Sequence, residues 1–277
     1  MNHLVVKRPD FGFAKDSLNA LRNTELKYLI IENFFNEDEI KSIIHDLRAL
    51  PKDLYSETKP GFTVFPRHAF NISNRDEDMH VYFSVSNKAI DDLKNNVQVD
   101  VVQRFDDVFK EVNNSNPVEI LDGPGDGIKF IPVNFRLMTS EVGAKATSGI
   151  HNGSHVTARC VNSTYKHLNG LIDFDNQLSF FCLLQNCNEG GDLTIYDYKV
   201  DDYPSLSDGR YLTKPGSNVD LQTTKNKCTV HMEPGDLIIF PGGQLWHRVE
   251  VVKKGERISL GGFVAARYSD NSWHYWN

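Results

Sequence analysis

The sequence predicts a mainly β fold, an antiparallel sandwich or barrel, with flanking helices in its first part. Three observations carry this. "VNFRLMTSEV" alternates, with Phe135, Leu137 and Thr139 on one side and Arg136, Met138 and Ser140 on the other. "QLSFFCLLQN" (177–186) is an almost continuous apolar run of strand length, as a strand buried on both faces requires. The C-terminal third consists of short apolar runs cut by turn signals at regular intervals.

Taken in order, the chain opens with mixed character and two clear helices. "NFFNEDEIKSIIHDLRAL" places Ile40, Ile43, Ile44 and Leu47 at helical spacing. Asn36 stands as its N-cap, and Glu39, three residues on, completes a capping box. Val101, Val102, Phe105, Val108, Phe109 and Val112 mark one face of a second helix that ends near Asn113. "DGPGDG" (122–127) breaks the chain and sets a soft boundary between a helix-rich part, 1–127, and a β core, 128–277, within one expected domain. Strands follow at "VNFRLMTSEV", "QLSFFCLLQN" and "GGDLTIYDYKV", the last two joined by the turn Asn188-Glu189-Gly190-Gly191. Residues from about 200 to 226 are polar and turn-rich, the pattern of a surface insertion. "KCTVHM", "LIIFPG", "LWHRVEVV" and "RISLGGFVA" are the remaining strands, punctuated by Glu233-Pro234-Gly235-Asp236 and Lys254-Gly255-Glu256. Trp273, Tyr275 and Trp276 crowd the last residues and are expected to be buried, since an exposed aromatic end is unusual.

At 277 residues the chain is long enough for a sizeable core, and 40% hydrophobic with 24% charged residues is an ordinary globular balance. A net charge of -7 argues against a nucleic-acid or anionic-membrane surface. No run approaches the roughly 18 to 20 apolar residues of a membrane span, and no signal peptide is visible, so a cytoplasmic protein is expected. Cys160, Cys182, Cys187 and Cys228 include no CxxC pair, which predicts free buried thiols rather than a zinc knuckle. Composition leaves the oligomeric state open.

The chemistry concentrates in "GDLIIFPGGQLWHRVEVVKKGERISL". A hairpin there sets His247 on one strand and Arg257 at the start of the next. Arg257 and Ser259 are two apart and share a strand face. An arginine fork beside a hydroxyl suits a carboxylate.

The order "GGDLTIYD … EPGDLIIF … WHRV … GERISL", over roughly residues 130 to 266, resembles the core of the iron(II)- and 2-oxoglutarate-dependent oxygenases. The resemblance implies a double-stranded β-helix (jelly roll, cupin-like) core. It implies His247 as the distal iron ligand, with Arg257 and Ser259 binding the distal carboxylate of 2-oxoglutarate. The proximal ligand is then His151, in "GIHNGSH". A two-histidine, one-carboxylate triad needs an acid at position 153, where the sequence has Gly153. The one histidine with an acid two residues on is His231, before Glu233, but it leads straight into a turn too close to His247.

An HxG in place of HxD is similar to the 2-oxoglutarate-dependent aliphatic halogenases. "HNGSH…YKHLNGLIDFDNQLSFFCLLQNCNEGGDLTIYDYKVD" resembles the carrier-independent chlorinases of the hapalindole and welwitindolinone type. The resemblance implies a radical halogenase using Fe(II), 2-oxoglutarate, O2 and chloride. It would chlorinate an unactivated carbon of a free small-molecule substrate and release succinate and CO2. The missing carboxylate opens one coordination position and removes one negative charge, and a halide restores both.

Other readings stand beside this one. Gly153 is also explained as a turn glycine with positive φ, or as a replaced aspartate in a hydroxylase of the same family. A jelly-roll binding module without metal is the non-enzymatic alternative. His155, Arg159, Arg67 and Arg136 are candidates for the substrate pocket, each with a surface or structural role as the alternative. Trp246, next to His247, is expected on the opposite face of its strand.

Overall fold

The structure is a computed structural model and describes residues 2–7, 14–66, 76–140, 150–153, 168–199, 221 and 224–277. The chain order is β1 (His3–Lys7), α1 (Ser17–Arg22), β2 (Tyr28–Glu32), α2 (Glu37–Ala49), β3 (Ser56–Lys59) and β4 (Phe62–Phe65). Then come α3 (Asp76–Asn96), α4 (Val101–Val112), β5 (Val118–Ile120), β6 (Asn134–Thr139), β7 (Leu178–Gln185) and β8 (Glu189–Gly190). The last elements are β9 (Leu193–Lys199), β10 (Lys227–Val230), β11 (Leu237–Phe240), β12 (Leu245–Val249), β13 (Val252–Lys254), β14 (Glu256–Ala266) and β15 (Trp273–Trp276).

Among the described residues, ten strands form one large sheet in the order β1-β2-β11-β7-β14-β6-β4-β3, with β15 beside β14 and β5 beside β15. A smaller sheet, β10-β9-β12, faces it. The first 66 residues therefore supply strands to both edges of the large sheet, and the helices cover one of its faces. The apolar character of β7 follows from this placing. Leu178, Phe180, Cys182 and Leu184 point to the helix side, where they join Phe105, Phe109, Leu237 and Ile239. Phe181 and Leu183 point into the barrel, where they meet Ile238, Phe240, Leu193, Ile195 and Leu245. A strand buried on both faces has no solvent side to mark with polar residues.

Helix α2 forms as its sequence prescribes. The Asn36 side chain accepts from the Asp38 and Glu39 amides, and Glu39 reaches back to the Asn36 amide at 2.9 Å. Arg104 of α4 donates to the Glu39 carboxylate, so the cap also locks the two helices together. Beyond the short α1, helix α3 is an addition to the two helices expected. Its inward positions include Ser86 and Ala89 between Tyr82, Ile90 and Leu93, and these small residues dilute the apolar periodicity. No helix among the described residues is long and apolar enough to cross a membrane.

The aromatic tail is built into the core. β15 pairs antiparallel with β14, Phe263 opposite Trp276, and parallel with β5. Trp273, Tyr275 and Trp276 are buried. Most of the expected insertion at 200–226 lies outside the described residues, but Leu221 packs with Ile150, Tyr196 and Trp246 on the outer face of the small sheet. Cys182, Cys187 and Cys228 are free thiols; Cys182 alone is fully buried, which corrects the expectation that all are, while Cys160 lies outside the described residues.

Candidate active site

β12 lies at the edge of the small sheet, and the alternation along it decides what enters the barrel. Leu245 and His247 point inward, while Trp246 packs outside against Tyr196. The free edge of β12 is taken by His151. The His151 amide donates to the His247 carbonyl at 2.9 Å, and the His247 amide donates to the His151 carbonyl at 2.8 Å. Residues paired in this way project side chains to the same face. The imidazole centroids stand 4.4 Å apart at 54°.

The tautomer of His247 follows from its surroundings. Its Nδ1 lies 3.0 Å from the Leu245 carbonyl, which can only accept, so Nδ1 carries the hydrogen and Nε2 keeps its lone pair. The ring is buried and meets Phe240 edge-on at 4.9 Å. Burial first, and His151 second, hold its pKa well below the usual histidine value. The neutral ring is the form that ligates a metal.

Gly153 has no positive φ, so a left-handed turn does not explain it. Its amide donates to the Gly242 carbonyl at 2.6 Å, which docks the segment onto the turn between β11 and β12. A Cβ at this position would lie 2.1 Å from the Gln177 side-chain nitrogen. Close approach, not backbone conformation, favours glycine here: a side chain would have to displace the end of Gln177 and meet the Gly242 carbonyl at 3.3 Å. Among the described residues, no group of three histidines, cysteines or acids surrounds the histidine pair. His231 is excluded by its 81% exposed side chain.

The large sheet contributes a cationic wall. Arg257 and Ser259 lie side by side on β14, with Arg257 Nη1 donating to Ser259 Oγ at 2.9 Å. Arg257 is 3% exposed, and its guanidinium stacks over Phe181 at 4.9 Å. The register sets Arg136 of β6 directly opposite Ser259, so Arg136 faces the barrel with Arg257. Arg136 is held by the Asn134 side chain at 3.0 Å. Burial pulls both arginine pKa values down to about 10, with Arg257 adding to the effect on Arg136. Neither has an ion-pair partner among the described residues. Cys187 and Asp192 act on Arg257 electrostatically and oppose the fall in its pKa, without an ion pair. Arg67, His155 and Arg159 lie outside the described residues.

A family model, that of the carrier-protein-independent halogenase WelO5, matches residues 2–277. The chain belongs to this family. The fold is also that of solved 2-oxoglutarate enzymes. An N-substituted L-amino acid dioxygenase from Burkholderia ambifaria AMMD matches with a TM-score of 0.56 at 14% identity, over 94% of this chain and 90% of that one. Its complex with alpha-ketoglutarate matches with a TM-score of 0.54 at 14% identity, over the same 94% and 90%. Among curated proteins, none matches the sequence. As a member of the WelO5 halogenase family with this core, the chain is a 2-oxoglutarate-dependent iron enzyme.

Gln177 is the residue of this region that sequence reasoning passed over. It is 1% exposed, a buried amide at the head of the apolar run that forms β7. That isolated polar residue was the available signal.

Proposed function

We propose that the protein chlorinates an unactivated aliphatic carbon of a free small molecule, with iron(II) held by His151 and His247. Arg257 and Ser259 bind the distal carboxylate of 2-oxoglutarate. Chloride takes the coordination position that an acid at residue 153 would fill. The observation that carries this reading is the combination of paired imidazoles with a neighbouring residue at which a side chain would have to displace Gln177.

The residues fit the group. The His247 Nε2 lone pair is directed by the Nδ1–H bond to Leu245, the usual support of a metal-bound imidazole. The Arg257 guanidinium needs an anion, and a dicarboxylate supplies one. Two neutral histidines leave the metal one negative charge short of the common triad, and a halide restores it. Bound iron(II), with 2-oxoglutarate, dioxygen and chloride, supplies the oxidising power to exchange a carbon-bound hydrogen for chlorine, releasing succinate and CO2. The chain's own work is positional: it must hold the substrate carbon beside the position left open at Gly153. Arg136, on the same wall as Arg257, is a candidate to orient an anionic group of the substrate or co-substrate. Arg67, His155 and Arg159 are proposed as further pocket residues.

The test is turnover of a candidate substrate with iron(II) and 2-oxoglutarate, with and without chloride, and product mass as readout. The chlorine isotope pair, present with chloride and absent in its absence, is expected. Hydroxylated product alone at saturating chloride would make the protein a hydroxylase with a variant triad. Chlorination undiminished in Gly153→Asp would overturn the open-position reading.

A further inference from the structure

We infer that Gln177 fills the place of the absent carboxylate, keeps residue 153 free of a side chain, and donates its amide N–H to the anion bound there. This rests on the halide reading above. The geometry is specific. The nearest heavy atoms to a Cβ at residue 153 are Gln177 Nε2 at 2.1 Å and Gln177 Cδ at 3.2 Å, followed by the Gly242 carbonyl at 3.3 Å. The amide therefore turns its nitrogen, a donor and never an acceptor, towards the space an aspartate side chain would enter. An anion in a buried site needs such donors.

Gln177 is also held from outside. Its carbonyl accepts from the Gly243 amide at 2.8 Å. Its neighbour Asn176 is bound to Asp173 at 3.0 Å and accepts from Gln244 at 2.7 Å. Asp173 in turn is buried and paired with Arg22 at 2.7 Å. This network ties the start of β7 to the β11–β12 turn, the same turn to which Gly153 is docked. The backbone that carries Gln177 is thus fixed before any ligand arrives, which is what preorganisation requires.

Two measurements test the assignment without relying on turnover. The first is a stability cycle. Gly153→Ala is expected to lower the Tm by roughly 5 °C, because its methyl group meets the Gln177 amide. In a Gln177→Ala background the same change should cost less, since only the tight 3.3 Å approach to the Gly242 carbonyl remains. Equal costs in both backgrounds would overturn the steric part. The second is chloride titration of the protein loaded with iron(II) and 2-oxoglutarate without dioxygen, followed by the visible charge-transfer band. Gln177→Leu should weaken chloride roughly tenfold or more, and Gln177→Glu, which puts a carboxylate in the halide's place, should remove the response. A parent response that Gln177→Leu leaves unaltered overturns the assignment alone. No chloride response in the parent overturns the halide reading, and the donor role with it.

Discussion

The main chains of His151 and His247 exchange hydrogen bonds in both directions, at 2.9 and 2.8 Å, and this pairing sets their imidazoles side by side in the barrel. The proposed metal position is thus defined by sheet geometry. His151→Ala and His247→Ala should each lower iron(II) affinity by about 100-fold or more, measured by anaerobic titration calorimetry. Thermal melts of the metal-free variants separate ligand loss from unfolding. A variant that folds and keeps the parent affinity would remove its histidine from the site.

Arg257 makes a second prediction because its charge is buried beside a hydroxyl, with no ion pair to an acid among the described residues. Arg257→Gln should weaken 2-oxoglutarate by two to three orders of magnitude, since truncating one partner of a buried charge pair costs about 2–5 kcal/mol. Ser259→Ala, which removes the acceptor of the 2.9 Å bond, should cost about 3- to 10-fold. The co-substrate should raise the Tm of the parent and leave that of Arg257→Gln unmoved. Stabilisation of Arg257→Gln equal to that of the parent would place 2-oxoglutarate elsewhere.

Residues that act through local spacing were readable before the fold was known. The capping box of α2, the shared face of Arg257 and Ser259, and the outward turn of Trp246 each depend on a period of 3.6 or 2 within a single element. The alternation also put Arg136 on the face opposite Phe135, but whether that face was barrel or solvent depended on its pairing with Ser259. Gly153 was ambiguous for the same reason. The crowding at its Cβ position comes chiefly from Gln177, 24 positions away along the chain and adjacent only after folding. The tail could be expected to be buried, yet not against which strands, because edge pairing is a property of the whole sheet.

Trp276 tests how far the tail belongs to that sheet. It is completely buried, packed edge-on against Phe174 with centroids 5.9 Å apart and near Phe263 at 6.0 Å. Trp276→Ala should therefore cost about 3–5 kcal/mol, the range for deleting a large buried aromatic. In a chain of this size that is a Tm loss of roughly 10 °C. A loss of only a degree or two would show the tail to be an appendage.

The tail is tied to α4 by one polar contact, and this gives a pH dependence. The Tyr275 hydroxyl donates to the Asp106 carboxylate at 2.6 Å. Burial raises the Asp106 pKa above its ordinary value of 3.8; Asp107 and Asp100 reinforce the rise, while the Tyr275 bond and Lys94 oppose it. Burial likewise holds Tyr275 well above its ordinary value, so the phenol stays protonated through the neutral range. The sign then follows from linkage. A carboxyl whose pKa is higher in the folded than in the unfolded chain contributes stability below the unfolded value and loses it as pH rises through the folded one. At pH 7 the ionised Asp106 is therefore a burden that the fold tolerates. Asp106→Asn keeps an oxygen to accept from Tyr275 and removes the charge. Its Tm should exceed that of the parent at pH 7, and the difference should shrink as pH falls towards 4. A difference that stays constant with pH, or grows on acidification, would mean that the Asp106 carboxylate is stabilised where it lies.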